Sequence, residues 1–167
     1  MKKTDPFLLV TIGIILTIAA LAIGFSFFSP APQTKFTAYS ESENEKPKIE
    51  TSLTDFDFGK INLSEIKTKD IILKNSGQKT LEVGNISTSC DCTKAQIIIN
   101  QKESPVFTMH GENQWLGKIE PGKEGILKII YEPAVHPVKG EVKRAVTLST
   151  NDPLKPLLEF HFTAAVN

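Results

Sequence analysis

Residues 156–166, "PLLEFHFTAAV", alternate with a period of two: Leu158, Phe160, Phe162, Ala164 and Val166 fall on one side, Glu159, His161 and Thr163 on the other. Successive side chains of an extended chain point to opposite faces, so this stretch reads as a strand with one face in a core and one in water. The same period recurs upstream, where Leu127, Ile129 and Tyr131 alternate with Lys128 and Glu132, and Val142, Val146 and Leu148 with Lys143 and Thr147. Helical spacing is hard to find after residue 50. Clusters of Gly, Pro, Asn and Asp at "NSGQ" (75–78), "EPGKEG" (120–125), "EP" and "HPVKG" (132–140) and "NDPLKP" (151–156) punctuate the runs as turns. Strands are predicted near 53–58, 66–74, 80–87, 94–99, 125–132, 142–149 and 157–166. The fold class that follows is all-β, an immunoglobulin-like β-sandwich of about seven strands. Its inward set is predicted to include Phe56, Phe58, Ile71, Leu73, Leu127, Ile129, Tyr131, Val146, Leu148, Phe160 and Phe162.

One segment resists the pattern. Residues 100–118, "NQKESPVFTMHGENQWLGK", exceed the ~12–15 residues usual for a structureless loop. An inserted hairpin or long functional loop is expected there, with "SPVFTMH" as its first strand, "GEN" as its turn and Trp115 packed over the sandwich edge.

The first thirty residues are a different material. From Phe7 to Phe28 the chain carries no charge, and at ~1.5 Å per residue a helix of this length spans the ~30 Å hydrocarbon core of a bilayer. Lys2 and Lys3 precede the run and Glu41, Glu43 and Glu45 follow it, which puts the N-terminus in the cytoplasm and the rest outside. The run is longer than the ~7–15 apolar residues of a secretory signal and lacks a clean cleavage site. The organisation expected is a cytoplasmic N-terminus (1–6), a single transmembrane helix (7–28), a flexible linker rich in Pro, Ser, Glu and Lys (29–50) and an exported sandwich (51–167). The 19 basic and 19 acidic residues cancel and are interleaved, so no basic stripe points to a nucleic-acid partner.

The motifs "FDFGKI" (56–61), "LKNSGQKTLEV" (73–83), "STSCDCT" (87–93), "IEPGKEGILKIIYEP" (119–133), Gly140 and "LSTNDP" (148–153) resemble, in this order, the bacterial domain-of-unknown-function family numbered fifteen seventy-three. The resemblance implies an immunoglobulin-like sandwich similar to hydin and major-sperm-protein modules, and implies no activity. The family's Cys-Gly-Cys reads Cys-Asp-Cys here, and the 100–118 connection is longer.

Catalysis finds little support. A cysteine nucleophile needs a base, but "MHGE" (109–112) follows "CDC" (90–92), the reverse of the order in exported transpeptidases. No Ser-His-Asp signature, phosphate loop or paired-carboxylate motif is present, so a non-enzymatic protein is expected. The two cysteines, Cys90 and Cys92, leave three readings. In an extended stretch their Cα atoms would stand ~6.6 Å apart, at the upper edge of what a disulfide tolerates, so a bond across Asp91 would be strained and labile. The reading expected first is a metal site: two thiolates on one side of a strand end can converge on a soft ion, and Cys with Met selects monovalent copper. Strand parity brings the loop carrying His136 to the cysteine end, and brings Met109 and His110 there only if residues 104–109 form an added strand. The metal set expected is therefore Cys90, Cys92, His136 and Met109 or His110. The layout of span, tether and sandwich bearing Cys-x-Cys resembles, in architecture only, the membrane-anchored copper-delivery proteins of cytochrome oxidase assembly, so a metal-receiving protein is one expected partner. The third reading is a metal-free module that binds another protein or an envelope component through its sheet edges.

Overall fold

The computed structural model describes residues 6–27, 35–110 and 114–167. Expectations for residues 1–5, for 28–34 of the linker and for the "GEN" turn at 111–113 lie outside the described residues. The chain divides into two units, Met1–Gln33 and Thr34–Asn167.

In the first unit, helix α1 (Pro6–Phe27) runs for 22 residues, about 33 Å at 1.5 Å per residue. The hydroxyls of Thr11 and Thr17 donate back to carbonyls one turn earlier, so neither presents an unpaired donor. Side chains of α1 are described at Phe7 and 10–21, and among the described residues no helix is long and apolar enough to cross a membrane.

The second unit is built of ten strands: β1 (Ile49–Thr51), β2 (Asp55–Ile61), β3 (Lys67–Asn75), β4 (Leu81–Thr88), β5 (Thr93–Ile99), β6 (Lys102–Glu103), β7 (Leu116–Ile119), β8 (Glu124–Tyr131), β9 (Gly140–Thr150) and β10 (Leu157–Val166). They form two five-stranded sheets, β1-β3-β8-β5-β6 and β2-β10-β9-β4-β7, mostly antiparallel, with β2 parallel to β10. Each of the seven predicted strands is present within a few residues, and β1, β6 and β7 are short additions. The alternation of β10 puts Leu158, Phe160, Phe162, Ala164 and Val166 in the core, Phe160 at 0% exposure. From the predicted inward set, Ile71, Leu73, Leu127, Ile129, Tyr131, Val146 and Leu148 are also buried, while Phe56 and Phe58 are partly buried against the core.

Phase in β2 survives only to Phe58. At Gly59, with φ +71°, one extra residue enters the strand, and after that bulge Ile61 rather than Lys60 faces inward. Beneath one end of the sandwich the rings of Phe56, Phe58 and Tyr131 gather on Phe162, with centroids 5.5, 5.1 and 5.2 Å from it. Their apolar area gives that end a rigid floor.

Two expectations are corrected. Residues 35–50, expected as part of a free linker, lie against the sandwich as a strap. The buried carboxylate of Glu82 accepts from the N–H of Thr37 at 2.7 Å and from its hydroxyl at 3.1 Å, Glu45 pairs with Lys79 at 2.7 Å, and the carbonyls of Lys46 and Lys48 accept from Gln78 and Ser76. Ile49 closes the strap with 0% exposure. The composition of the stretch hid this, because polar side chains here bond to the domain instead of to water. Gly77 is part of the fit: a Cβ there would collide with the Lys46 carbonyl. The second correction concerns the insertion. Residues 104–109 run back along β5 but join it only through Ser104 and an isolated Ala95–Phe107 bridge, because Pro105 has no N–H to give. Trp115 is half-buried against the core, its ring 5.7 Å from that of Phe107.

Candidate functional site

β4 belongs to one sheet and β5 to the other, so the chain must cross between layers at residues 89–92. The crossing is pinned on both sides. Ser89 exchanges two hydrogen bonds with Ala145 of β9, its N–H donating to the carbonyl and its hydroxyl accepting from the N–H, both at 2.9 Å. On the other side the Glu132 N–H, just past β8, donates to the Cys92 carbonyl at 2.8 Å. Between these anchors the chain turns: the Cys90 carbonyl accepts from the N–H of Thr93 at 3.1 Å and from the Thr88 hydroxyl at 2.9 Å.

The turn corrects the extended geometry expected at the cysteines. It shortens their Cα–Cα distance to 5.3 Å, in the middle of the range that disulfides occupy, and the two are joined. The sulfurs lie under the loop. Cys92 is 0% and Cys90 9% exposed, and the Thr93 hydroxyl stands 3.5 Å from Cys90 Sγ and 4.0 Å from Cys92 Sγ. Asp91 projects outward.

Arg144 completes the site, and sequence reading missed it. On β9 it shares the inward phase of Val142, Val146 and Leu148, and it donates through Nε to Cys92 Sγ at 3.3 Å and through Nη1 to the Lys143 carbonyl at 2.9 Å. The signal was present: the alternation that places Val142 and Val146 inward places position 144 inward too. Among the described residues no carboxylate lies within ion-pair distance of it. Close by, burial pushes the Tyr131 phenol above its ordinary pKa, and the Arg144 charge pulls the other way.

The remaining expected ligands are unevenly placed. The return of residues 104–110 along β5 brings His110 to the cysteine end, where its Nε2 is 3.8 Å from Asp91 Oδ2. Met109 beside it is 47% exposed. His136 follows the 3-10 turn Pro133–Val135 at the same end and is exposed, its N–H donating to the Pro133 carbonyl. The structure does not assemble the four-ligand set: the two sulfurs are bonded to each other, and among the described residues no group of three His, Cys, Asp or Glu side chains could hold a metal.

Elsewhere an open trough of about 630 Å³ runs over the outer face of the second sheet, past Asp57, Lys60, Glu141, Lys143 and Thr163. Its charges are mixed, Lys60 and Lys143 standing with Asp57 and Glu141. The Gly59 N–H and the Thr163 hydroxyl hold Asp57 below its ordinary pKa, so its carboxylate is occupied in fixing the β2 bulge.

No curated protein sequence matches the chain. A solved protein of unknown function from Porphyromonas gingivalis is 19% identical over 83% of this chain, with a TM-score of 0.57; the chain spans about half of that protein, 51%. A PapD-like domain of human CEP192 is 13% identical, covering 81% of this chain and 98% of the domain, with a TM-score of 0.49. A CARDB domain from Pyrococcus furiosus, solved in complex with di-metal ions, is 12% identical over 75% of this chain and 100% of the domain, with a TM-score of 0.36. Residues 49–110, from β1 through the disulfide turn to His110, match the model of the family described as protein of unknown function (DUF1573), and over that segment the family likeness read from the motifs is shown.

Proposed function

We propose that this chain is an extracytoplasmic β-sandwich, anchored by α1, that presents an exchangeable disulfide to a partner thiol and catalyses no reaction of its own on small molecules. The observation that carries the reading is the Cys90–Cys92 bond across a single residue, in a turn whose Cys92 sulfur receives the Arg144 N–H at 3.3 Å. A loop this short constrains the unfolded chain little, so the bond contributes little as a staple. The core has support besides it, since among the described residues apolar side chains of both sheets, Ile71, Leu127, Phe160 and Phe162 among them, fill the interior. A persistent disulfide suits an oxidising compartment, which accords with export on an N-terminal span whose sequence from Phe7 to Phe28 is uncharged. Exposed Ile66, Met109, Val135 and Val138 belong to loops at the disulfide end and offer a protein partner apolar contact there.

The test is a titration of the full chain, held in detergent micelles, through glutathione buffers of increasing reducing strength, with thiols counted by alkylation and mass. Reversible passage between no and two alkylated cysteines, with the β circular-dichroism signal retained, supports the reading. Loss of the β signal on reduction, or failure to reduce without denaturant, overturns it. A second reading has the reduced pair take monovalent copper with His110, whose approach to Asp91 favours it; uptake of one equivalent by the reduced chain, lost in His110→Ala, is its expected result.

A further inference from the structure

Arg144 is a charged side chain at a core-facing position of β9, half-buried, with no carboxylate partner among the described residues. A neutral disulfide sulfur is a weak acceptor and does not balance a guanidinium. Nη1 reaches the exposed Lys143 carbonyl, but the Nε side of the guanidinium is partly buried against the sulfur, where water solvates its charge least. The missing anion is supplied if the neighbouring sulfur becomes a thiolate: Nε is already 3.3 Å from Cys92 Sγ and needs no rearrangement to meet it.

The two sulfurs differ in the way that exchange chemistry requires. Both residues are buried, Cys90 at 9% exposure and Cys92 at 0%; the Thr93 hydroxyl stands nearer Cys90 Sγ, and the guanidinium contact is on Cys92 Sγ. Other titratable groups round the turn do not compete for the sulfur. Tyr131 of β8 is held neutral by burial, Asp91 points outward toward His110, and Lys94 of β5 is paired with Glu132 at 2.8 Å.

We propose that Arg144 is the built-in counter-cation of the Cys92 thiolate, so that the disulfide opens in one sense only. An incoming thiolate forms a bond to Cys90 Sγ, the Cys90–Cys92 bond breaks, and Cys92 leaves with the electron pair as a thiolate beside Arg144. A second external thiol, as thiolate, then attacks the external sulfur of the mixed disulfide and releases Cys90, which takes a proton from water; the external pair is oxidised and the protein pair reduced. Arg144 is a positioning residue. It accelerates opening because a better-stabilised leaving thiolate departs faster, and it shifts the equilibrium toward the reduced form for the same reason. The reverse follows as well: from the mixed disulfide, Cys92 as thiolate beside Arg144 attacks Cys90 Sγ, the external thiolate leaves with the electron pair, and the ring closes.

This inference rests on the exchangeable-disulfide reading, and one experiment separates the two. The oxidised full chain in micelles is mixed with excess glutathione, quenched in acid within seconds and mapped by peptide mass, alongside Arg144→Gln and Arg144→Lys. The expected result is glutathione on Cys90. In a fixed glutathione buffer, Arg144→Gln should be reduced about tenfold less than the native chain, since it removes the cation that stabilises the departing thiolate, with Arg144→Lys in between. Glutathione on Cys92 overturns the proposal, as does an unchanged equilibrium in a folded Arg144→Gln chain. If Arg144→Gln fails to fold, the mapped cysteine of the native chain decides alone. Glutathione on neither cysteine refutes the exchange reading itself.

Discussion

Replacing Phe160 with alanine tests the strand phase on which the whole architecture rests. Phe160 is 0% exposed and sits on β10, between β2 and β9, so its ring has protein on every side. Truncation removes its transfer free energy and leaves a cavity that a strand held on both edges cannot collapse into, a cost of about 3–5 kcal/mol. For a unit of about 130 residues the unfolding entropy is about 0.28 kcal/mol/K, so the melting temperature should fall by roughly 10–18 °C. Glu159→Ala, one residue earlier and facing water, is the internal control and should change stability by no more than ~0.5 kcal/mol. Thermal melts followed by circular dichroism, with urea titrations to check that the m-value is constant, measure both. A drop below about 3 °C for Phe160→Ala, or equal drops for the two variants, would refute the phase and with it every inward assignment on β10.

Three further outcomes are expected. A chain beginning at residue 35 should melt as the native unit does, whereas one beginning at 51, which lacks the strap and Ile49, should melt well below it; equal melting temperatures would contradict the strap. Because Asp57 is depressed below its ordinary 3.8 by the Gly59 N–H and the Thr163 hydroxyl, its contribution is present above that value and lost as pH falls through the lower folded pKa. Urea unfolding between about pH 2 and 5 should therefore show a shallower acid limb in Asp57→Asn, and an unchanged limb would count against the contact. Protease added outside intact cells should release a fragment that starts close to residue 35; protection of the sandwich, or a secreted form starting near Ala31, would contradict the anchor.

Legibility in the sequence followed the length over which one period is kept. β10, β8 and the far half of β9 hold strict alternation between turn signals, and their faces could be read directly. β2 could be read only to Phe58, because the bulge at Gly59 resets the phase and a lone glycine does not announce whether it is a bulge or a turn. The strap could not be read at all: its backbone and carboxylate pairings with Glu82, Gln78 and Lys79 involve residues far along the chain and leave no period behind. At the site, the cysteine pair and the arrival of the 104–110 segment at its end followed from spacing and strand parity. The turn that relaxes the disulfide did not, since Ser89–Cys92 carries neither Gly nor Pro. Arg144 was readable by parity, since it shares the phase of Val142 and Val146 on β9.

Whether the disulfide is exported and open to exchange can be read in intact cells. Cells are treated with a membrane-impermeant reductant or left untreated, quenched in acid, and the chain is alkylated and weighed. No alkylated cysteine is expected in untreated cells and two after brief reduction, with no lysis needed. Free thiols in untreated cells, or a pair that resists the reductant until the domain is unfolded in urea, would contradict it.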